Sequence, residues 1–209
     1  MTLNKPVITA ILPNPENPAK RDIFVDGAFY ITLPLDLLFL QDLGVGDPFG
    51  EEEVEALTFA AQLILAKEKA YQYLGYGDLS RKKLLEKLTR YGIEPAVADA
   101  ACNYMEEQGF IDDQRLAHRL AVRFAQSKRW GPRRILPELL QRGIPLEQAK
   151  DAVAELEVDY TQSVQYYLDT KYRNYNLTDR KELQKVTQGL QRLGFDFDDI
   201  RSVINNYDD

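Results

Sequence analysis

The chain has 209 residues, 44% hydrophobic and 28% charged, with a net charge of -7. That length permits a sizeable core, and the composition excludes gross disorder and indiscriminate binding to a polyanion. A single cysteine, Cys102, excludes an internal disulfide and fits a reducing, cytoplasmic setting. Neither the opening Met1-Thr2-Leu3-Asn4-Lys5-Pro6 nor the longest apolar stretch, residues 33–40, has the form of a secretory leader or a membrane span.

The first 33 residues read as strands. Residues 7–12 are apolar and β-branched, Pro13, Pro15 and Pro18 interrupt the pattern, and Asp26-Gly27 sits between two further apolar runs. Asp-Gly in that place predicts a type I′ hairpin, because both central residues of that turn need positive φ. A sheet of two or three strands is expected, then a short helix from Pro34 to near Gly44. Glu51, Glu52 and Glu53 suit a helix N-terminus, where negative charge opposes the dipole. Val54, Leu57, Ala61, Leu65 and Tyr73 or Leu74 then share the apolar face of a helix running to about Tyr73.

Beyond it lies an internal repeat. Gly92, Gly143 and Gly194 are 51 residues apart, preceded by Leu84, Ile135 and Val186 and by Leu88, Leu139 and Leu190. After them come Ile93, Ile144 and Phe195, then Ala98, Ala149 and Ile200, then Cys102, Val153 and Ile204. This pattern describes a helix ending in a left-handed glycine cap and a second helix packing back on it. Ser80 and Asp179 are N-caps for copies one and three, and Pro132 starts copy two, where Pro137 either delays the helix or bends its first turn. A third helix follows in the first two copies, at about 112–127 and 159–172. The expected organisation is a β-hairpin region with a short helix over 1–49, a linking helix over 50–78, repeats over 79–128 and 129–178, and an incomplete repeat over 179–209. The fold class is mainly α, a small N-terminal sheet followed by tandem three-helix repeats in a curved, elongated array.

Charge is unevenly distributed. Residues 66–150 carry 16 basic and 11 acidic side chains, whereas residues 1–65 carry 3 and 10 and residues 151–209 carry 7 and 12. Within the basic centre Arg115, Arg119 and Arg123 recur every four residues, and Lys128, Arg129, Arg133 and Arg134 continue the run, with no acidic residue between Gln114 and Pro137. Surfaces ordinarily intersperse both signs, so this is a candidate electropositive ridge for acidic protein groups or DNA phosphate, joined by Arg142. Trp130, the single tryptophan, is either an interface anchor or a packing residue of the repeat junction. Arg81, Lys82, Lys83, Lys87 and Arg90 read as a solvated helix face. Ser80-Arg81-Lys82-Lys83 matches Ser-x-x-Lys but lacks the accompanying catalytic motifs, Asp112-Asp113 reads as a helix start, His118 has no partner in view, and Cys102 reads as core. No catalytic or metal-binding set emerges.

Three stretches carry a resemblance to the regulatory protein RecX family. Gly109-Phe110-Ile111-Asp112-Asp113-Gln114-Arg115-Leu116-Ala117 resembles its glycine–aromatic–apolar–Asp–Asp segment. Gly131-Pro132-Arg133-Arg134-Ile135 through Glu138-Leu139 to Arg142-Gly143-Ile144 resembles its second-repeat signature, and Ser80, Leu84, Leu88 and Gly92-Ile93 its first. The resemblance implies a non-enzymatic regulator that binds RecA recombinase and RecA filaments on single-stranded DNA and restrains them, without a metal, nucleotide or other cofactor. On this reading Arg115, Arg119, Arg123, Lys128, Arg129, Trp130, Arg133, Arg134 and Arg142 form the contact surface of a monomer with weak DNA contact and no membrane association. The alternative is a DNA-binding protein using helix-turn-helix-like repeats.

Overall fold

A computed structural model describes residues 5–206. Met1–Asn4, where the expected β-hairpin region begins, and the last three residues, where the third repeat is expected to end, lie outside the described residues. Two compact units divide the chain. One holds the N-terminal region to Gln72 with Leu88–Tyr104, and the other holds Tyr73–Lys87 and the chain from Met105 onward.

Three antiparallel strands open the first unit in the order β1 (Ile8–Pro13), β2 (Lys20–Val25) and β3 (Ala28–Pro34). Asp26 and Gly27 both have positive φ, 49° and 86°, as the hairpin requires. The short helix α1 (Leu35–Leu40) follows, then the long helix α2 (Glu51–Gly75). Ile8, Ile23, Val25, Leu33, Leu37, Leu38, Phe49 and Leu57 make one buried cluster, so the sheet has a core face supplied by both helices. The apolar face expected for α2 holds only in its first half. Leu57 is buried, but the later buried positions are Ala66 and Ala70, while Ala61 and Leu65 are exposed. Two alanines four residues apart allow close backbone approach on a face turned about 100° from Leu65, and close packing prevailed over the larger side chains.

Eight helices follow α1 and α2: α3 (Arg81–Tyr91), α4 (Pro95–Glu107), α5 (Asp113–Gln126), α6 (Pro132–Gln141), α7 (Leu146–Ala154), α8 (Tyr160–Asp169), α9 (Arg180–Arg192) and α10 (Phe197–Asn205). Helix α6 runs unbroken through Pro137. The three expected glycine caps are present, with φ of 103°, 83° and 93° at Gly92, Gly143 and Gly194. At each, the glycine N–H donates to a carbonyl three residues back and the next N–H to one five back, as in Ile93 to Leu88, Ile144 to Leu139 and Phe195 to Leu190. These paired bonds are Schellman motifs, which satisfy the last helical carbonyls and turn the chain into the second helix. All six core positions before the glycines are completely buried. The second and third helix pairs close their cores with the helix that precedes them: α5 packs with α6 and α7, and α8 with α9 and α10.

Successive repeats meet through one contact made twice. The Ser80 hydroxyl, at the start of α3, caps that helix by accepting from the Lys83 N–H at 3.2 Å, and donates to the Arg142 carbonyl at the end of α6, 2.7 Å away. Fifty-one residues further on, the Gly131 N–H at the start of α6 donates to the Leu193 carbonyl at the end of α9, at 2.8 Å, and the Arg133 N–H donates to Gly194. A Cβ on Gly143 would lie 2.6 Å from Ser80 Oγ, and one on Gly194 would lie 2.5 Å from the Arg134 backbone nitrogen. Gly92, in the same place of the first copy, has nothing within 4 Å of such a Cβ. Gly92→Ala should therefore cost only the left-handed strain, about 1–2 kcal/mol, whereas Gly194→Ala, blocked by backbone as well, should cost about 3 kcal/mol or more. Urea unfolding of the two variants tests this, and equal losses would show that the second junction yields freely to a methyl group.

Candidate functional site

The second unit has a cleft of about 530 Å³ beside the first of these junctions. Asp78, Ser80 and Lys83 line it from the start of α3, Arg119 and Arg123 from α5, and Gln141 and Arg142 from the end of α6. Periodicity explains the α5 contribution: Leu116, Ala117, Ala121 and Phe124 are buried on one side, so Arg119 and Arg123 project from another. The Schellman turn at Gly143 brings Arg142 to the rim, and the Ser80 bond holds the α3 start against it.

The cations in the cleft differ in their partners. Arg119 forms an ion pair with Asp78, and both side chains are more than half exposed. Lys83 pairs with Glu86 at 2.8 Å and Arg142 with Glu138 at 3.2 Å, each within its own helix region. Among the described residues, Arg123 is exposed and has no ion-pair partner. Exposed pairs of this kind contribute about 0–1 kcal/mol each, so they orient the side chains more than they stabilise the fold.

Other residues of the basic run go elsewhere. Trp130 stacks on Phe124 with ring centres 5.1 Å apart, Arg134 lies over the Trp130 ring at 4.0 Å, and Arg142 lies over the opposite partner, Phe124, at 5.3 Å. Trp130 is half-buried against the α5–α6–α7 core, so packing is part of its work. Arg129, in a left-handed conformation with φ of 52°, lies over Tyr166 at 4.3 Å, in a second cleft with Gln162, Gln165 and Asn206. Arg133 pairs with Asp196. Lys128 is exposed and its carbonyl accepts from the Tyr167 hydroxyl. Arg115 donates to the Gly109 carbonyl and lies 3.9 Å from Asp112. The acid-free run from Gln114 to Pro137 thus draws its carboxylates from outside itself, at Asp78, Asp112 and Asp196.

The sequence reading leaves Lys83 on a solvated face, yet it lines the cleft together with Asp78. The repeat register holds the missed signal, because Lys83 falls 51 residues before Arg134, a residue placed in the ridge. Asp113 also does more than begin a helix. Asp112 caps α5 by accepting from Arg115 N–H, while the Asp113 carboxylate accepts the first N–H of α3, from Arg81, at 2.9 Å. Ser80 is 1% exposed with its hydroxyl committed to the cap and the junction, so it is a structural hinge pin and no accessible nucleophile. His118 is exposed, 3.6 Å from Glu155, and Cys102 is completely buried.

Family models for the first, second and third three-helix domains of RecX match residues 66–105, 112–153 and 159–204. The chain belongs to the regulatory protein RecX family. A regulatory protein RecX of Clostridioides difficile is 29% identical over 97% of this chain and 98% of its own length. That of Vibrio parahaemolyticus is 32% identical over 71% of this chain and 96% of its own. A crystal structure of a regulatory protein RecX covers 96% of this chain and 99% of its own with a TM-score of 0.70 at 22% identity, and that of RecX from Lactobacillus salivarius covers 71% and 98% with a TM-score of 0.62, also at 22%. The domains matched by the family models coincide with the helix groupings seen in the cores, α5–α7 and α8–α10. Among the described residues no helix is long and apolar enough to cross a membrane.

Burial raises the Asp113 carboxyl above the ordinary aspartate value, aided by nearby Glu106 and opposed by the Arg81 N–H. A raised folded pKa means the folded state holds that proton more tightly than the unfolded one. Stability therefore falls as pH rises from the ordinary aspartate value through the raised folded value, and the cost of the charged carboxylate is absent only below the ordinary value. Asp113→Asn retains an acceptor for Arg81 without the charge. It should stabilise the protein at neutral pH, with the gain vanishing on acidification through the carboxylate range. Denaturation midpoints measured across that range would refute this if the variant were weaker at neutral pH.

Proposed function

We propose that this RecX-family chain binds RecA recombinase, as free protein and as the filament on single-stranded DNA, and restrains filament extension and RecA activity in recombinational DNA repair and the SOS response. The observation that carries the reading is the convergence of Lys83, Arg119, Arg123 and Arg142 from three helices on one cleft of a chain that is acidic overall. Local positive charge within a negative chain favours a docked, oriented contact over general attraction to polyanions. The cleft is the centre of the contact. Arg115, Lys128, Arg129, Trp130, Arg133 and Arg134 extend it, and their existing exposed pairs exchange at little cost for partner carboxylates. Successive three-helix domains meeting successive RecA subunits add affinity by linkage. The protein acts by occupying surface and forms no covalent intermediate; it works in the cytoplasm as a monomer, with DNA contact secondary.

RecA-catalysed, DNA-dependent ATP hydrolysis tests the reading. The protein, added below the RecA concentration, should inhibit hydrolysis, and Arg119→Glu/Arg123→Glu should abolish the inhibition. Direct DNA binding would replace this reading if RecA were unaffected while the protein bound bare DNA with an affinity falling about 0.9 log units per contacted phosphate for each log unit of salt.

A further inference from the structure

The two repeat junctions provide an internal comparison. Counting 51 residues on, Asp78, Ser80 and Arg142 become Arg129, Gly131 and Leu193. Counting from the helix caps Asp112 and Asp159, 47 apart, Arg119 and Arg123 become Tyr166 and Thr170. The equivalence is physical: Asp78 meets Arg119 at the first junction, and Arg129 meets Tyr166 at the second. The second junction closes on the equivalent carbonyl, Leu193 for Arg142, with the Gly131 N–H donating in place of the Ser80 hydroxyl, and it has a tyrosine, a threonine and a leucine where the first has three arginines. The arginines are therefore not what the junction needs in order to form.

Resting on the proposed reading, we propose that the first-junction cleft is an oxyanion site for an acidic segment of the partner protein, and that Asp78 is its internal competitor. Arg119 and Arg123, one helical turn apart, present two guanidinium forks on one side, and Arg142 faces them from α6. Clusters of arginines recognise successive carboxylates by such forks. Asp78 already places a carboxylate on Arg119, in the position an incoming carboxylate would take, while Arg123 stays unoccupied by any ion pair among the described residues. An acidic segment engages Arg123 first and then displaces Asp78 from Arg119 and Glu138 from Arg142. A protein segment suits the site better than a nucleic-acid strand, because the chain's charge of -7 opposes a long polyanion over its whole length but a short acidic segment only locally.

The competitor gives a test with a sign that destabilisation cannot imitate. A fluorescent short polyglutamate peptide is titrated by anisotropy against the full chain at low ionic strength, with an oligothymidine of equal charge as competitor. Asp78→Asn should bind the peptide about two- to fivefold more tightly, the exchange of one exposed ion pair. Arg123→Glu should lose binding, and the double variant should lose the gain. Unchanged or weaker binding by Asp78→Asn overturns the competitor role, and oligothymidine outcompeting the peptide assigns the cleft to nucleic-acid phosphate instead. RecA inhibition measured on the same variants separates the two levels. Inhibition by the unaltered chain that Asp78→Asn does not strengthen overturns this inference alone, whereas absence of inhibition by the unaltered chain overturns the proposed function.

Discussion

The second unit depends on one contact: the start of a helix set against the glycine-capped end of the corresponding helix in the next repeat. Helix ends carry unsatisfied N–H groups at one end and carbonyls at the other. At the second junction the Gly131 N–H meets such a carbonyl directly and at the first the Ser80 hydroxyl does so, and the joint needs a near absence of side chain at the cap. Gly143 and Gly194 meet that need, with left-handed φ for the turn and no Cβ where Ser80 or the Arg134 backbone approaches. The contact also brings Arg142 and Lys83 to the lining of one cleft, so the repeat geometry itself gathers these charges.

Much of this was readable in the residues. The hairpin at Asp26-Gly27 follows from a local backbone demand, and the three helix pairs follow from glycines at a constant spacing with apolar residues at matched offsets. What the pattern could not convey was partnership over distance. The apolar face of α2 turned toward Ala66 and Ala70 because close approach rewards small residues, which a search for large apolar ones passes over. In the cores of α5–α7 and α8–α10 the third helix precedes its pair, a matter of tertiary packing on which the spacing of the glycines is silent. The basic run from Arg115 to Arg134 was evident, but its division among a cleft, an aromatic stack and separate ion pairs depended on residues far along the chain, at Asp78, Tyr166 and Asp196.

The two junctions separate the needs of the fold from those of a partner. A hydrogen bond to the capped helix end and a glycine are common to both, whereas Arg119, Arg123 and Arg142 have no cationic counterparts at the second. An exposed guanidinium held by one exposed carboxylate adds little stability, and the second junction closes without it, so the proposed role of these arginines is in binding and not in the fold. Aromatic packing falls on the other side of this division: Phe124 and Trp130 belong to the α5–α6–α7 core, with the guanidinium groups of Arg134 and Arg142 lying over their rings.

The most direct measurement is to give the first junction the residues of the second. In Arg119→Tyr/Arg123→Thr/Arg142→Leu, urea unfolding and RecA inhibition are read on the same preparation. The account predicts stability within about 1 kcal/mol of the unaltered chain, the scale of exposed ion pairs, together with loss of inhibition. A variant that unfolds readily, or one that inhibits RecA as the unaltered chain does, would contradict it.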